Sequence, residues 1–360
     1  MEGTGYNPAG FEPDAHERFS APSEDVLKVY VDQFKKKIRE RRSVSYEEVQ
    51  EYRKRGESHI LGHYAYEMMF DIYAGIEDEY MDGAIDSHLH IYPDYVPRSI
   101  DIIQLAIKAS EAKMRAVVCK DHFFLSTGQA WGAQWVVDQM VKEGKLERAC
   151  KVFGTYILAW SHHPEQIHLV RKYPNLGGVY FWTFTGGHPA GPPLEIHDGE
   201  GKLLPDVKEC IRLCAEYKIP IFTGHKWVEN TMPMVEYATE VGAHIMVTHA
   251  GGSTGGTTDM AGSIEQAKRM AKLGAFLEVG ANKFLPTMMW PLVDTNASFD
   301  WIKEVGAEHC VANTDFGQVM VSDPVEGMRL FIRGMIHFGF SKKEIKIMVQ
   351  SNPAKFLYLD

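Results

Sequence analysis

From residue 81 onward, short apolar runs alternate with stretches of helical periodicity. The runs occupy residues 83–85, 116–119, 152–158, 178–182, 219–222, 244–248, 275–279 and 310–313. Helical patterns at 99–112, 133–143, 164–172, 205–217, 232–241, 263–273 and 300–305 separate most of them. Eight strand–helix units in series predict an α/β fold, a parallel (β/α)8 TIM-like barrel. No sequence repeat of the solenoid kind is present. Upstream, residues 1 to about 22 read as a loose arm and residues 23 to about 75 as helices. Ser23, Glu24 and Asp25 offer capping chemistry, and Leu27, Tyr30, Val31 and Phe34 follow at i, i+3, i+4 and i+7. The expected organisation is an N-terminal arm and helical extension over 1–80, then a barrel over 81–360.

The chain of 360 residues is 45% hydrophobic, ample for a barrel core. Its formal net charge of −10 argues against nucleic acid or an anionic membrane as partner. No run approaches the ~20 apolar residues of a membrane span. The first 22 residues lack the basic and apolar segments of a secretory signal. The five cysteines are odd in number and form no CxxC pair, so neither a disulfide framework nor a zinc knuckle is expected. Cys210 and Cys214, four apart on a helix, read as core. These features suit a cytoplasmic protein with reduced thiols acting on a small molecule.

Candidate chemistry gathers where the runs end. In a parallel barrel the active site lies at the C-terminal ends of the strands. Asp86-Ser87-His88-Leu89-His90 closes the first run. Histidines two apart on a strand share a face, and paired neutral imidazoles suit a first-row metal. His225 closes the fifth run, His249 the sixth and Asp315 the eighth. His-x-His, then His, His and Asp, each on a different strand, resembles the amidohydrolase superfamily. That resemblance implies a metal-dependent hydrolase with His88, His90, His225, His249 and Asp315 as ligands. Asp315 would contact the metal and move the proton of the attacking water; the bland alternative for it is a helix cap. The metal would be Zn2+, with Mn2+ or Fe2+ as alternatives, at one or two ions per chain.

The second run ends Cys119-Lys120-Asp121-His122. Many binuclear members carry a lysine carbamate after strand 4, but residues 178–183 here hold neither Lys nor Glu. Lys120 is therefore read as a carbamate bridging two metals, as an ammonium for a substrate carboxylate or oxyanion, or as a salt bridge to Asp121 or Glu278. Asp315, Lys120 and His249 are the expected catalytic groups, with Arg98, His122 and His188 as candidates for substrate contact. The strings Asp-Ser-His-Leu-His-Ile-Tyr-Pro-Asp, Cys-Lys-Asp-His-Phe, Phe-Thr-Gly-His and Val-Thr-His-Ala also resemble an uncharacterised amidohydrolase-like group over about 81–360. The ending Asn352-Pro353-Ala354-Lys355-Phe356-Leu357 is common in such barrels and is expected to cap the last helix. The glycine-rich segment 251–258 reads as a mobile rim loop. Met288, Met289, Trp290 and Trp182 read as core or pocket lining.

The expected reaction is hydrolysis of an amide, lactam or cyclic imide, or of an ester or lactone. A metal-dependent decarboxylase or hydratase acting on a small carboxylated acid is the alternative. A homo-oligomer is expected, since such barrels are often symmetric assemblies.

Overall fold

Residues of alternating direction build the wall of the barrel. The computed structural model describes residues 75–94, 96–122, 125–158, 161–181, 195–225, 228–252, 262–285, 287 and 293–360. The expected arm and N-terminal helices up to residue 74 lie outside these. The strands are β1 (Ile85–His90), β2 (Ala116–Lys120), β3 (Lys151–Ile157), β4 (Leu176–Tyr180), β5 (Ile221–Phe222), β6 (Ile245–Val247), β7 (Phe276–Gly280) and β8 (Cys310–Asn313). They pair in sequence order, every pair parallel. The helices are α1 (Asp78–Met81), α2 (Ile102–Glu111), α3 (Thr127–Lys142), α4 (Pro164–Val170), α5 (Pro205–Tyr217), α6 (Val228–Val241), α7 (Ile264–Lys272), α8 (Ala281–Phe284), α9 (Thr295–Val305), α10 (Pro324–His337), α11 (Lys342–Lys346) and α12 (Asn352–Phe356). The expected (β/α)8 barrel is the observed fold.

Two apolar clusters divide at the wall. Ile85, Ala116, Val118, Tyr180, Phe222, Met246, Phe276 and Val311 pack inside. Val117, Cys119, Val179, Ile221, Val247, Leu277, Val279 and Ala312 face the helices. The period of two then turns Lys120 and Glu278 inward. On β1 the pairing shifts: Ile85 faces Ala116 and His90 faces Lys120, six residues against five. This bulge changes the facing of β1 midway, so that Ile85 and His90 both point inward. Bulges re-aim side chains in this way and are frequent beside active sites.

Closure of the barrel uses the residues of the expected site. The Asp315 N–H donates to the His88 carbonyl at 2.7 Å, and the His90 N–H donates to the Phe316 carbonyl at 2.7 Å. Asp86 reinforces this seam. It accepts from the Thr314 hydroxyl at 2.6 Å and the Thr314 N–H at 3.1 Å. Burial pushes its carboxyl up to about 7, although the Thr314 and His88 donors favour the charged form. At Gly317 an added Cβ would fall 2.0 Å from the His90 carbonyl oxygen, so the backbone can pass there only without a side chain.

The floor comes from the C-terminus. Ala354, Phe356 and Leu357 join the inner cluster, and Phe356 meets Phe222 and Phe276 with ring centroids 5.0 and 5.4 Å apart. The ending 352–357, expected to cap the last helix, itself forms α12, whose first residue is Asn352. Its amide donates to the carbonyls of Cys310 (2.7 Å), Glu308 (3.0 Å) and Ala307 (3.4 Å), tying the floor to the start of β8. The Asn-Pro-Ala motif is thus a structural latch. At the other end of the described chain, buried Glu77 pairs with Arg329 and Arg333 of α10.

Other differences are local. β1 runs on through the paired histidines instead of ending at Ile85, α3 begins at Thr127 instead of 133, and α9 begins at Thr295 instead of 300. Helix α10, absent from the sequence reading, starts at an Asp323 cap that accepts from the N–H groups of Val325 and Glu326. All five cysteines are buried and unpaired, and Cys210 and Cys214 are core residues of α5. No helix among the described residues is long and apolar enough to cross a membrane.

Removing the floor aromatic by Phe356→Ala is expected to cost about 3–5 kcal/mol, the range for truncating a fully buried Phe. Trp135→Ala, at a position 62% exposed on α3, is expected to change stability by less than about 0.5 kcal/mol. Urea unfolding of the two variants checks both.

Candidate metal centre

Five of the sequence-predicted side chains converge at the mouth of the barrel. His88 and His90 come from β1, His225 from the turn after β5, His249 from the turn after β6 and Asp315 from the turn after β8. The carboxylate of Asp315 is the meeting point. Its Oδ1 lies 3.1 Å from His90 Nε2 and 3.3 Å from His88 Nε2; its Oδ2 lies 3.6 Å from His249 Nε2. His249 Nε2 is in turn 3.1 Å from His225 Nε2. Asn282 of α8 donates to Asp315 Oδ2. Asp315 is not a helix cap; Asp323 serves the following helix.

Two backbone turns aim these groups. His249 has φ 52° and Asp315 φ 50°, both left-handed. Such residues cost about 1–3 kcal/mol each and cluster at functional sites. The strand-to-loop reversal at each position points the side chain back over the lumen.

A residue absent from the expected set organises the cluster. Glu278 of β7 is fully buried, with Oε2 3.0 Å from His88 Nδ1 and Oε1 3.0 Å from His249 Nδ1. The His249 contact is off the line of a good hydrogen bond, and the His249 backbone N–H donates to the same Oε1 at 3.2 Å. Burial works to raise the Glu278 carboxyl, but the imidazoles of His88 and His249 hold it well below the usual carboxylate range. Glu278 therefore takes the Nδ1 side of both rings and leaves both Nε2 atoms directed at Asp315. The sequence carried one signal for this: a lone acid inside the apolar strand Phe-Leu-Glu-Val-Gly.

The donor set fits a divalent ion. Ligand atoms about 2.0–2.1 Å from a tetrahedral ion stand roughly 3.3 Å apart, close to the separations found here. Burial lowers the pKa of His88, and that of His90 and His225 still further. Neutral imidazoles supply the lone pairs a metal needs. His88 Nε2 is buried and has no hydrogen-bond partner among the described residues. Burial works to raise Asp315 as well, yet the surrounding histidines hold it well below its ordinary range, so it is an anion.

A second layer stands behind His90. The His122 ring stacks on it at 4.6 Å between centroids. Asp94 Oδ2 lies 3.0 Å from His122 Nδ1 and 2.7 Å from Arg98, and Arg98 Nη2 lies 2.9 Å from His122 Nδ1. The Arg98 guanidinium already occupies this cluster as its cation. Arg98 and His122 thus meet each other and Asp94, and Arg98 is buried instead of being a surface charge.

Lys120 ends β2 with Nζ 4.5 Å from the Tyr180 ring centroid. It forms no ion pair with Asp121 or Glu278. His188, Trp182, Met288, Met289, Trp290 and residues 253–258 of the glycine-rich segment lie outside the described residues.

A family model described as "Family of unknown function (DUF6282)" matches residues 83–278. The chain belongs to this family. The match opens two residues before β1 and ends on Glu278, so it spans every site residue named except Asn282 and Asp315. No curated protein matches. Among solved structures, an amidohydrolase from Pseudomonas aeruginosa is similar at TM-score 0.54 and 11% identity, covering 78% of this chain and 97% of that one. The probable dipeptidase PvdM from the same organism gives 0.53 and 13%, covering 78% and 96%. Dihydroorotase from Saccharomyces cerevisiae, in complex with 5-fluoroorotic acid, gives 0.52 and 9%, covering 78% and 85%. At these identities the likeness is one of fold: this DUF6282 chain shares a (β/α)8 barrel with these enzymes.

Glu278→Gln keeps the volume and removes the charge that fixes two imidazoles. It is expected to weaken Zn2+ affinity about 10–100-fold with the fold intact. Competition with a chromophoric chelator, alongside circular dichroism, measures this.

Proposed function

We propose that this protein is a metal-dependent hydrolase of a C–N bond in a small amide, lactam or cyclic imide. The observation that carries the proposal is the convergence of His88, His90 and His249 on the Asp315 carboxylate, with His225 beside His249 and Glu278 holding two of the rings from behind. The ligands would be those five residues, and Zn2+ suits the nitrogen and oxygen donors. A bound divalent ion supplies Lewis-acid polarisation of a carbonyl and lowers the pKa of water from about 15.7 toward ~7.

Asp315 would move the proton. Its carboxylate is anionic and sits at the C-terminal end of the strands, where a reacting water and a scissile bond would meet. It accepts the proton of the attacking water and returns it to the departing nitrogen, which would otherwise leave as an unstable amide anion. Asn282, donating to Oδ2, fixes the carboxylate plane while this happens. Glu278 stays charged and keeps His88 and His249 in one tautomer. Arg98, Asp94 and His122 hold the His90 ring by stacking and charge. The fold shared with an amidohydrolase and a dihydroorotase supports a C–N bond ahead of an ester or lactone.

Chelation is expected to abolish turnover, and restored Zn2+ to recover it. Asp315→Asn is expected to retain metal while kcat falls by roughly 10²–10⁴-fold, the weight of a general acid–base group. A screen of amides, lactams and cyclic imides, with metal analysis of each variant, tests this. Turnover unchanged in protein stripped of metal would contradict it, and CO2 release from carboxylated acids would point to a decarboxylase instead.

A further inference from the structure

Lys120 is 4% exposed, yet its ammonium forms neither an ion pair nor a hydrogen bond with any described residue. A buried charge in that condition is costly unless something completes it. Burial works against its charge; the carboxylates that favour it are Asp315, Glu278 and Asp94, and each is already engaged by an imidazole or the Arg98 guanidinium. A divalent ion at the histidines would screen Asp315 further and leave Lys120 with still less negative charge to face. Tyr180 Oη adds a second unmet group: it is buried in the lumen and has no hydrogen-bond partner among the described residues. Its ring stacks on Phe222 at 4.1 Å between centroids and lies 5.5 Å from the His88 ring.

We propose that the substrate carries a carboxylate, which the Lys120 ammonium anchors with the Tyr180 hydroxyl as second donor. This deepens the hydrolase reading by naming the substrate class for the same site. The ring beneath Lys120 favours the ammonium over a carbamate, because the face of an aromatic ring attracts a cation and repels an anion. Arg98 is a poorer anchor, since Asp94 already neutralises it at 2.7 Å. The chain as a whole carries a net charge of −10, so its overall field does not draw an anion inward. A local cation must do that.

The test is binding, read by calorimetry on zinc-loaded full-length protein. The probes are malonate, succinate and glutarate against acetate, propionate and butyrate. The best diacid is expected to bind about tenfold or more tighter than its monoacid, the weight of one charge-assisted hydrogen bond. Lys120→Met is expected to keep its zinc and to bring that ratio within about threefold. Tyr180→Phe is expected to reduce the ratio by a smaller factor. Lys120→Gln serves the same comparison should the Met variant fail to fold. A ratio near one in the native protein, or one unchanged in either Lys120 variant, overturns the proposal. Zinc lost from a folded Lys120 variant also overturns it, by making the side chain a metal-holding group. Binding is scored without turnover, so failure of the hydrolase reading and failure of this one are distinguishable.

Discussion

The clamp of Glu278 on His88 and His249 is the interaction on which the site depends. A carboxylate with no exposure is several kcal/mol unfavourable by desolvation alone. It stays charged because two imidazoles and a backbone N–H surround it. The same contacts decide which nitrogen of each ring faces the lumen. Without the carboxylate, either tautomer of His88 would be accessible, and its Nε2 could carry a proton where an ion needs a lone pair. One acid on β7 thus gives direction to ligands from β1 and from the turn after β6.

The barrel and the site are one construction. The backbone of His88 and His90 closes the seam with Asp315 and Phe316 while their side chains build the cluster. The β1 bulge brings His88 and His90 to the lumen face above Ile85. Left-handed turns at His249 and Asp315 complete the ring of ligands. The floor under Tyr180 and Phe222 is apolar, and a low local dielectric strengthens each charge interaction above it.

Much of this was legible in the sequence, for definite reasons. Eight apolar runs gave eight strands because a strand buried on both faces has little choice of composition. His88, His90, His225, His249 and Asp315 were found because ligand-type residues recurred where runs ended. Glu278 was not assigned to the site because one acid in a strand has no spacing to match; only the parity of β7 turns it inward. The bulge left no mark in the sequence either, since Asp86-Ser87-His88 reads equally well as regular strand. Arg98 was read as a carboxylate binder because its partners, Asp94 and His122, are brought to it by the fold. The latch made by Asn352 was not legible because its three carbonyl partners lie 42–45 residues away in sequence.

The central claim is that Glu278 fixes the tautomers of two metal-binding histidines. Nitrogen-15 NMR of the imidazoles in zinc-loaded protein tests it most directly, with His88 and His249 assigned by single substitution. The account predicts a protonated Nδ1 and a zinc-ligated Nε2 in both rings. A proton on Nε2 of either ring in the zinc-loaded protein would contradict it.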